Sequence, residues 1–126
     1  MKEAVLSTKA PQPIGPYSQG MISNGHLFIS GQLPLNVETN RLAEGIENQA
    51  RQSLDNIKSI LEAKELGMDA VVKTTIFMTD LADFQLVNSI YADYFTAPFP
   101  ARSTIQVAKL PMDALIEIEL IAETKK

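Results

Sequence analysis

Residues 99–123 read FPARSTIQVAKLPMDALIEIELIAE. Two runs rich in aliphatic and β-branched residues, about Arg102–Lys109 and Leu115–Glu123, flank LPMDA, whose proline and aspartate are turn formers. The stretch predicts two strands joined as a hairpin. Ile116, Ile118, Leu120 and Ala122 alternate in the second run, and Ile105 and Val107 in the first, so pairing them defines one apolar face. That register sends Arg102, Thr104 and Gln106 to the opposite side, with Glu117, Glu119 and Ile121. The other register would place Arg102 among isoleucines, at a heavy desolvation cost. A fixed cation and a carboxylate on one mixed face ask for an explanation.

Upstream, YSQGMISNGHLFISGQLP (17–34) holds Asn24-Gly25 between two strand-like runs, a strong short hairpin signal. Placing Ser23 opposite His26 sets Ile22 against Leu27 and Gly20 against Ile29, and paired residues share a face. Tyr17, Gln19, Met21, Phe28, Ser30 and Gln32 then belong to the other face. Before this hairpin, residues 3–7 form a short edge strand, and APQPIGP (10–16) is an ordered loop of extended backbone. NVETNRLAEG (36–45) is a polar connection. Ile46, Ala50, Leu54, Ile57 and Leu61 recur at steps of three and four, predicting a helix over about 46–66 that Gly67 ends. DAVVKTTIFMTD (69–80) is a β-branched strand. Phe84, Val87, Tyr91 and Tyr94 or Phe95 give a second helix over about 81–95, closed by Pro98 and Pro100.

The predicted order is β, β, β, α, β, α, β, β in one domain spanning 1–126, an α+β fold with a mixed sheet and two helices on one face. Tyr17, Met21, Phe28 and Ser30 share the uncovered face with the charged set of the last two strands. That face is too apolar for water alone and too polar for a core, so it predicts burial against other subunits.

Bulk properties narrow the function. A net charge of −4 argues against a nucleic-acid partner, which would normally meet a basic face. No apolar run approaches the roughly 18 residues of a membrane span, and the N-terminus lacks a signal peptide's apolar core, so the expected location is the cytoplasm. Without cysteine there are no disulfides, thiolate ligands or thiol nucleophile. The lone His26 beside a turn reads as a solvent-exposed turn residue. Arg102 suits bidentate binding of a carboxylate or phosphate, and its alternative is a surface or salt-bridging arginine. Glu117 could orient water, but Glu119 and Glu123 share its parity, and spacing alone does not choose among them. Asn88 lies mid-helix among apolar neighbours, where its simplest role is bonding a loop backbone.

Six segments in order, APQPIGPYSQG, LFISGQLP, ENQARQSLDNIKSILE, VVKTTIFMTDLADFQLVNSIYADYF, PARSTIQVAKLP and IEIELIAE, resemble the YjgF/RidA family of reactive intermediate deaminases over essentially the whole chain. The resemblance implies a chorismate-mutase-like homotrimer with clefts between subunits. It implies hydrolysis of 2-imino acids such as 2-iminopropanoate and 2-iminobutanoate, with small-molecule 2-imino and 2-keto acids as partners and neither cofactor nor metal. By the same resemblance Arg102 grips the substrate carboxylate and Glu117 holds the hydrolytic water. Tyr17, Ser30, Gly31 and Asn88 match cleft positions. Thr104 stands where many members carry cysteine. A 2-keto-acid-binding regulator and a ribonuclease or translation inhibitor are the competing readings; the −4 charge and single histidine weigh against the ribonuclease.

Overall fold

The computed structural model describes residues 1–124. In chain order the strands are β1 (Glu3–Val5), β2 (Gly20–Ser23), β3 (His26–Gln32), β4 (Leu35–Asn36) and β5 (Arg41–Leu42), then β6 (Val71–Met78), β7 (Ala101–Gln106) and β8 (Ile116–Glu123). Helix α1 (Gly45–Glu62) precedes β6, and α2 (Phe84–Tyr91) lies between β6 and β7. Six strands form one sheet in the order β1-β2-β3-β8-β6-β7, and β4-β5 form a separate ribbon. All pairings in the large sheet are antiparallel except β6 with β7. A parallel pair needs a crossover, and the segment carrying α2 supplies it.

The first hairpin matches its predicted register: Ser23 faces His26, Ile22 faces Leu27 and Gly20 faces Ile29. Asn24 and Gly25 take φ of 53° and 81°, the left-handed pair that a tight two-residue turn requires. The proline-rich loop is held by buried Gln19. Its Oε1 accepts from Ser7 N (2.6 Å), and its Nε2 donates to the carbonyls of Ser7 (3.1 Å) and Pro11 (2.8 Å).

The closing hairpin is not formed. β6 lies between β7 and β8, and the connection 107–115 carries the chain past it. Because β7 pairs with β6 through Thr74–Arg102, Ile76–Thr104 and Met78–Gln106, while β6 pairs with β8 through Thr74–Leu120 and Ile76–Ile118, Arg102, Thr104 and Gln106 lie on the helix-covered face. Glu117 pairs with Phe77 and Glu119 with Thr75, on the open face. The predicted placement of Arg102 beside Glu117 is therefore wrong. Arg102 escapes burial among isoleucines because β7 is an edge strand, where its neighbours are rings from α2. Ile105, expected in the core, is 46% exposed on the open side.

Gln32 also changes face. A register shift between Ile29 and Gln32 sets Gln32 opposite Ile118, buried. Helix α1 stops at Glu62 instead of near Leu66. Glu65 takes φ 59°, and Leu66 N donates to Leu61 O (3.0 Å), before Gly67 is reached. The polar connection contains the β4-β5 ribbon, pinned where Asn56 Nδ2 donates to the carbonyls of Leu33 (3.1 Å) and Leu35 (3.0 Å). The second predicted helix begins as a 3₁₀ turn, Leu81–Asp83, whose Ala82 N donates to Asp80 Oδ1 (2.9 Å).

The core lies between the helices and one face of the sheet. Leu54, Ile57 and Leu61 of α1 and Val87 and Ile90 of α2 pack against Ile29, Ile76, Ile116 and Ile118, all buried. Large-to-small changes there cost about 2–5 kcal/mol each. The opposite face has no helix, and Phe28 on it is 45% exposed.

Candidate active site

The candidate residues form two groups on opposite faces. The first is built around Arg102. Its guanidinium carbon lies 5.5 Å from the centroid of the Phe84 ring and 4.9 Å from that of Tyr91. Both distances fall within cation–π range. Tyr91 is fixed in turn: its hydroxyl shares a 2.8 Å hydrogen bond with Thr74 Oγ1, and its ring stacks on Phe95 at 4.3 Å. Burial raises the Tyr91 pKa, with the Thr74 bond and the Arg102 charge opposing it, so the phenol stays neutral at pH 7. Arg102 takes part in none of the ion pairs among the described residues. Asn88 is four residues after Phe84 and three before Tyr91, so α2 carries all three on one side. Thr104, two residues along β7 on the Arg102 face, has a buried Oγ1 without a hydrogen-bond partner.

The second group surrounds Glu117. This half-buried carboxylate packs on Gly31 so closely that a Cβ there would lie 2.2 Å from its Oε2. Glycine at 31 is what lets backbone and carboxylate approach. The Glu117 pKa is raised, mainly by burial and secondarily by the Glu119 charge. Neither a salt bridge nor a hydrogen bond ties up this carboxylate among the described residues. Ser30 is committed to the backbone: its hydroxyl donates to Ser18 O (2.6 Å) and its N–H to Gln19 O (2.9 Å). Those bonds fix the bulge that presents Gly31. Tyr17 is half-exposed and lines two cavities, one of about 490 Å³ shared with Ser30 and Glu119, the other of about 240 Å³ shared with Gly31.

Within one chain the structure thus joins Glu117 with Gly31, with Ser30 and Tyr17 alongside, and Arg102 with Thr104 and α2. It does not join the two groups, because the sheet lies between them. Sequence reasoning missed the Tyr91–Thr74 support of Arg102. Its only trace in the sequence was the spacing of aromatic residues along α2, which also reads as core. His26 is exposed beside the turn, with Nδ1 3.2 Å from Asn24 O. Among the described residues no group of three or more His, Asp or Glu side chains could hold a metal ion, and no helix is long and apolar enough to cross a membrane.

A small α+β protein thus carries two candidate groups: on one face of its mixed sheet an arginine outside the ion pairs among the described residues, on the other a half-buried carboxylate of raised pKa. The family model described as Endoribonuclease L-PSP matches residues 7–124. The chain belongs to this family, also known as YjgF/RidA. It is 47% identical over 125 residues to the 2-iminobutanoate/2-iminopropanoate deaminase of Salmonella typhimurium, covering 97% of this chain and 98% of that one. It is 53% identical over 122 residues to Reactive Intermediate Deaminase A, chloroplastic, of Arabidopsis thaliana, covering 96% of this chain and 65% of that longer one. Among solved structures, Escherichia coli TdcF with bound serine superposes with a TM-score of 0.93 at 40% identity, covering 98% of this chain and 99% of that one.

Proposed function

We propose that the protein hydrolyses 2-imino acids to 2-keto acids and ammonia, at a site built by two copies of the chain. The observation that carries this reading is the Arg102 guanidinium, held by aromatic rings and outside every ion pair among the described residues. The names of the Salmonella and Arabidopsis relatives support the choice of substrate. Because Arg102 and Glu117 lie on opposite faces, one small substrate can meet both only if one copy supplies Arg102 and another supplies Glu117. The open face with its exposed Phe28 and Ile105 is the surface such an assembly would cover, and a closed homotrimer is the arrangement proposed.

In this mechanism Arg102 pairs with the substrate carboxylate and fixes the imine carbon. Glu117 accepts a proton from water as the water oxygen bonds to that carbon and the C=N electron pair moves to nitrogen. Glu117 then returns the proton to nitrogen. Glu117 next takes the hydroxyl proton and passes it to the amino nitrogen as the C–N bond breaks, so nitrogen leaves as NH3 and the hydroxyl oxygen becomes the keto oxygen. General acid–base help of this kind contributes about 10²–10⁴-fold. The burial that raises the Glu117 pKa makes it a better proton acceptor than an exposed carboxylate. Tyr17, Ser30 and Gly31 would form the wall around Glu117, and Asn88 and Thr104 the wall around Arg102. The chemistry requires no cofactor, and the substrates belong to cytoplasmic amino-acid metabolism.

The test is competition for a trapped imine. A dehydratase generates 2-aminocrotonate or 2-aminoacrylate, semicarbazide captures the derived imine, and the protein is added. Suppressed semicarbazone formation is expected. Unchanged trapping at high protein concentration would remove the deaminase reading.

A further inference from the structure

We infer that Tyr91, with Phe84, is a positioning residue for substrate-carboxylate recognition: the two rings aim the Arg102 guanidinium while leaving its N–H donors free. This inference rests on the carboxylate-binding role given to Arg102 above.

An arginine can be held in two ways. A carboxylate partner fixes the guanidinium but occupies its donors, as where Arg51 Nη1 donates to Asp93 Oδ2 at 3.2 Å. Aromatic rings fix it through their faces and use no N–H at all. Arg102 has the second arrangement, with ring centroids at 4.9 Å and 5.5 Å and no ion pair among the described residues. A free arginine side chain samples many rotamers, and ordering it at the moment of binding weakens the complex.

Tyr91 is suited to the task because it is itself immobile. It is 6% exposed, and its hydroxyl is bonded at 2.8 Å to Thr74, which is fully buried. Thr74 is also the residue paired with Arg102 across β6 and β7. The chain of contacts therefore starts and ends at one register position: Thr74 holds the Tyr91 hydroxyl, the Tyr91 ring holds the guanidinium, and Arg102 returns to Thr74 through the sheet. Phe84, about two turns earlier on α2, supplies the second ring. Because the rings come from a helix and the arginine from an edge strand, the position of α2 over the sheet sets where the guanidinium points.

The test compares Tyr91→Leu with Tyr91→Phe in the full-length protein. Three readouts are used: steady-state imine hydrolysis, calorimetric Kd for 2-oxobutanoate, and the Nε–Hε NMR resonance of Arg102. Losing a ring face from a half-buried cation corresponds to about a tenfold effect. Tyr91→Leu is expected to raise KM and the 2-oxobutanoate Kd by that factor, with kcat changed much less, and to move the Arg102 resonance out of its ring-shifted position. Tyr91→Phe, which keeps the ring but loses the Thr74 bond, is expected to recover most of the binding. A folded Tyr91→Leu protein with wild-type KM, Kd and Arg102 resonance would overturn the inference. So would equal binding losses in both variants, which would point to the hydroxyl. If Tyr91→Leu fails to fold, Phe84→Leu replaces it; a severalfold rise in Kd supports the inference and an unchanged Kd overturns it. Wild-type protein without imine turnover, but with the same Kd rise in the variants, would support the positioning role and remove the deaminase reading.

Discussion

Replacing Gly31 by alanine should separate the position of Glu117 from the stability of the fold. The added Cβ would lie 2.2 Å from Glu117 Oε2, 2.9 Å from Cδ and 3.2 Å from Cγ, whereas ordinary contact begins at 3.4 Å. The carboxylate must therefore withdraw by more than 1 Å at its nearest oxygen. Gly31 does not have a positive φ, so alanine brings no backbone strain. The clash is with the end of a flexible side chain on the open face, so stability should change by less than about 1 kcal/mol. Function should respond far more, because a 1 Å misplacement of a reacting group can cost about 10²-fold. That factor corresponds to about 2.7 kcal/mol in the activation barrier. Imine trapping read as initial rates, with thermal unfolding in parallel, measures both. A kcat within twofold of wild type would refute the assignment of Glu117 as the group that handles the water.

Gly25→Ala should give the opposite pattern: its Cβ meets nothing within 4 Å but its φ is +81°, so about 1 kcal/mol of stability is lost with kcat unchanged. A fall in kcat there would show that the turn matters to the site. Burial, then Glu119, raises the Glu117 pKa above its ordinary 4.5, so the fold favours the protonated form. That favourable contribution is present below about pH 4.5 and is lost as pH rises through the folded-state pKa. Glu117→Gln should therefore raise Tm at neutral pH, by an amount that shrinks on acidification, while kcat collapses. A lower Tm at pH 7 would contradict the burial argument. Glu119→Gln removes the secondary cause of the shift and should move the acidic limb of the rate profile to lower pH; an unmoved limb would mean that another group controls it.

Local chemistry made much of the fold legible. Asn24-Gly25 dictates a turn, and the turn dictates the register of its hairpin. Apolar spacing located α1 and its buried face. The final stretch misled because adjacency in sequence stood in for adjacency in space. Arg102–Lys109 and Leu115–Glu123 alternate well enough to pair, yet Val71–Met78, with Thr74, Ile76 and Met78 buried, inserts between them. Parity within a hairpin cannot foresee an intervening strand, so it put Arg102 on the wrong face. A bulge near Ser30 and Gly31 likewise moved Gln32 into the core, since one extra residue reverses every side chain beyond it. Family resemblance selected Arg102, Glu117 and Gly31. It did not reveal the Tyr91–Thr74 support, because an aromatic residue at helical spacing looks the same whether it fills a core or steadies a cation.

The most direct test mixes two variants. Arg102→Ala and Glu117→Gln, each prepared alone, should leave imine trapping almost unaffected. When the two chains are co-expressed, a cleft needs an intact Arg102 from one copy and an intact Glu117 from its neighbour. Random assembly into closed rings then restores about a quarter of the sites. Recovery of about a quarter of wild-type activity in the mixture is the predicted result. A mixed assembly as inactive as its parents would contradict a site shared between copies.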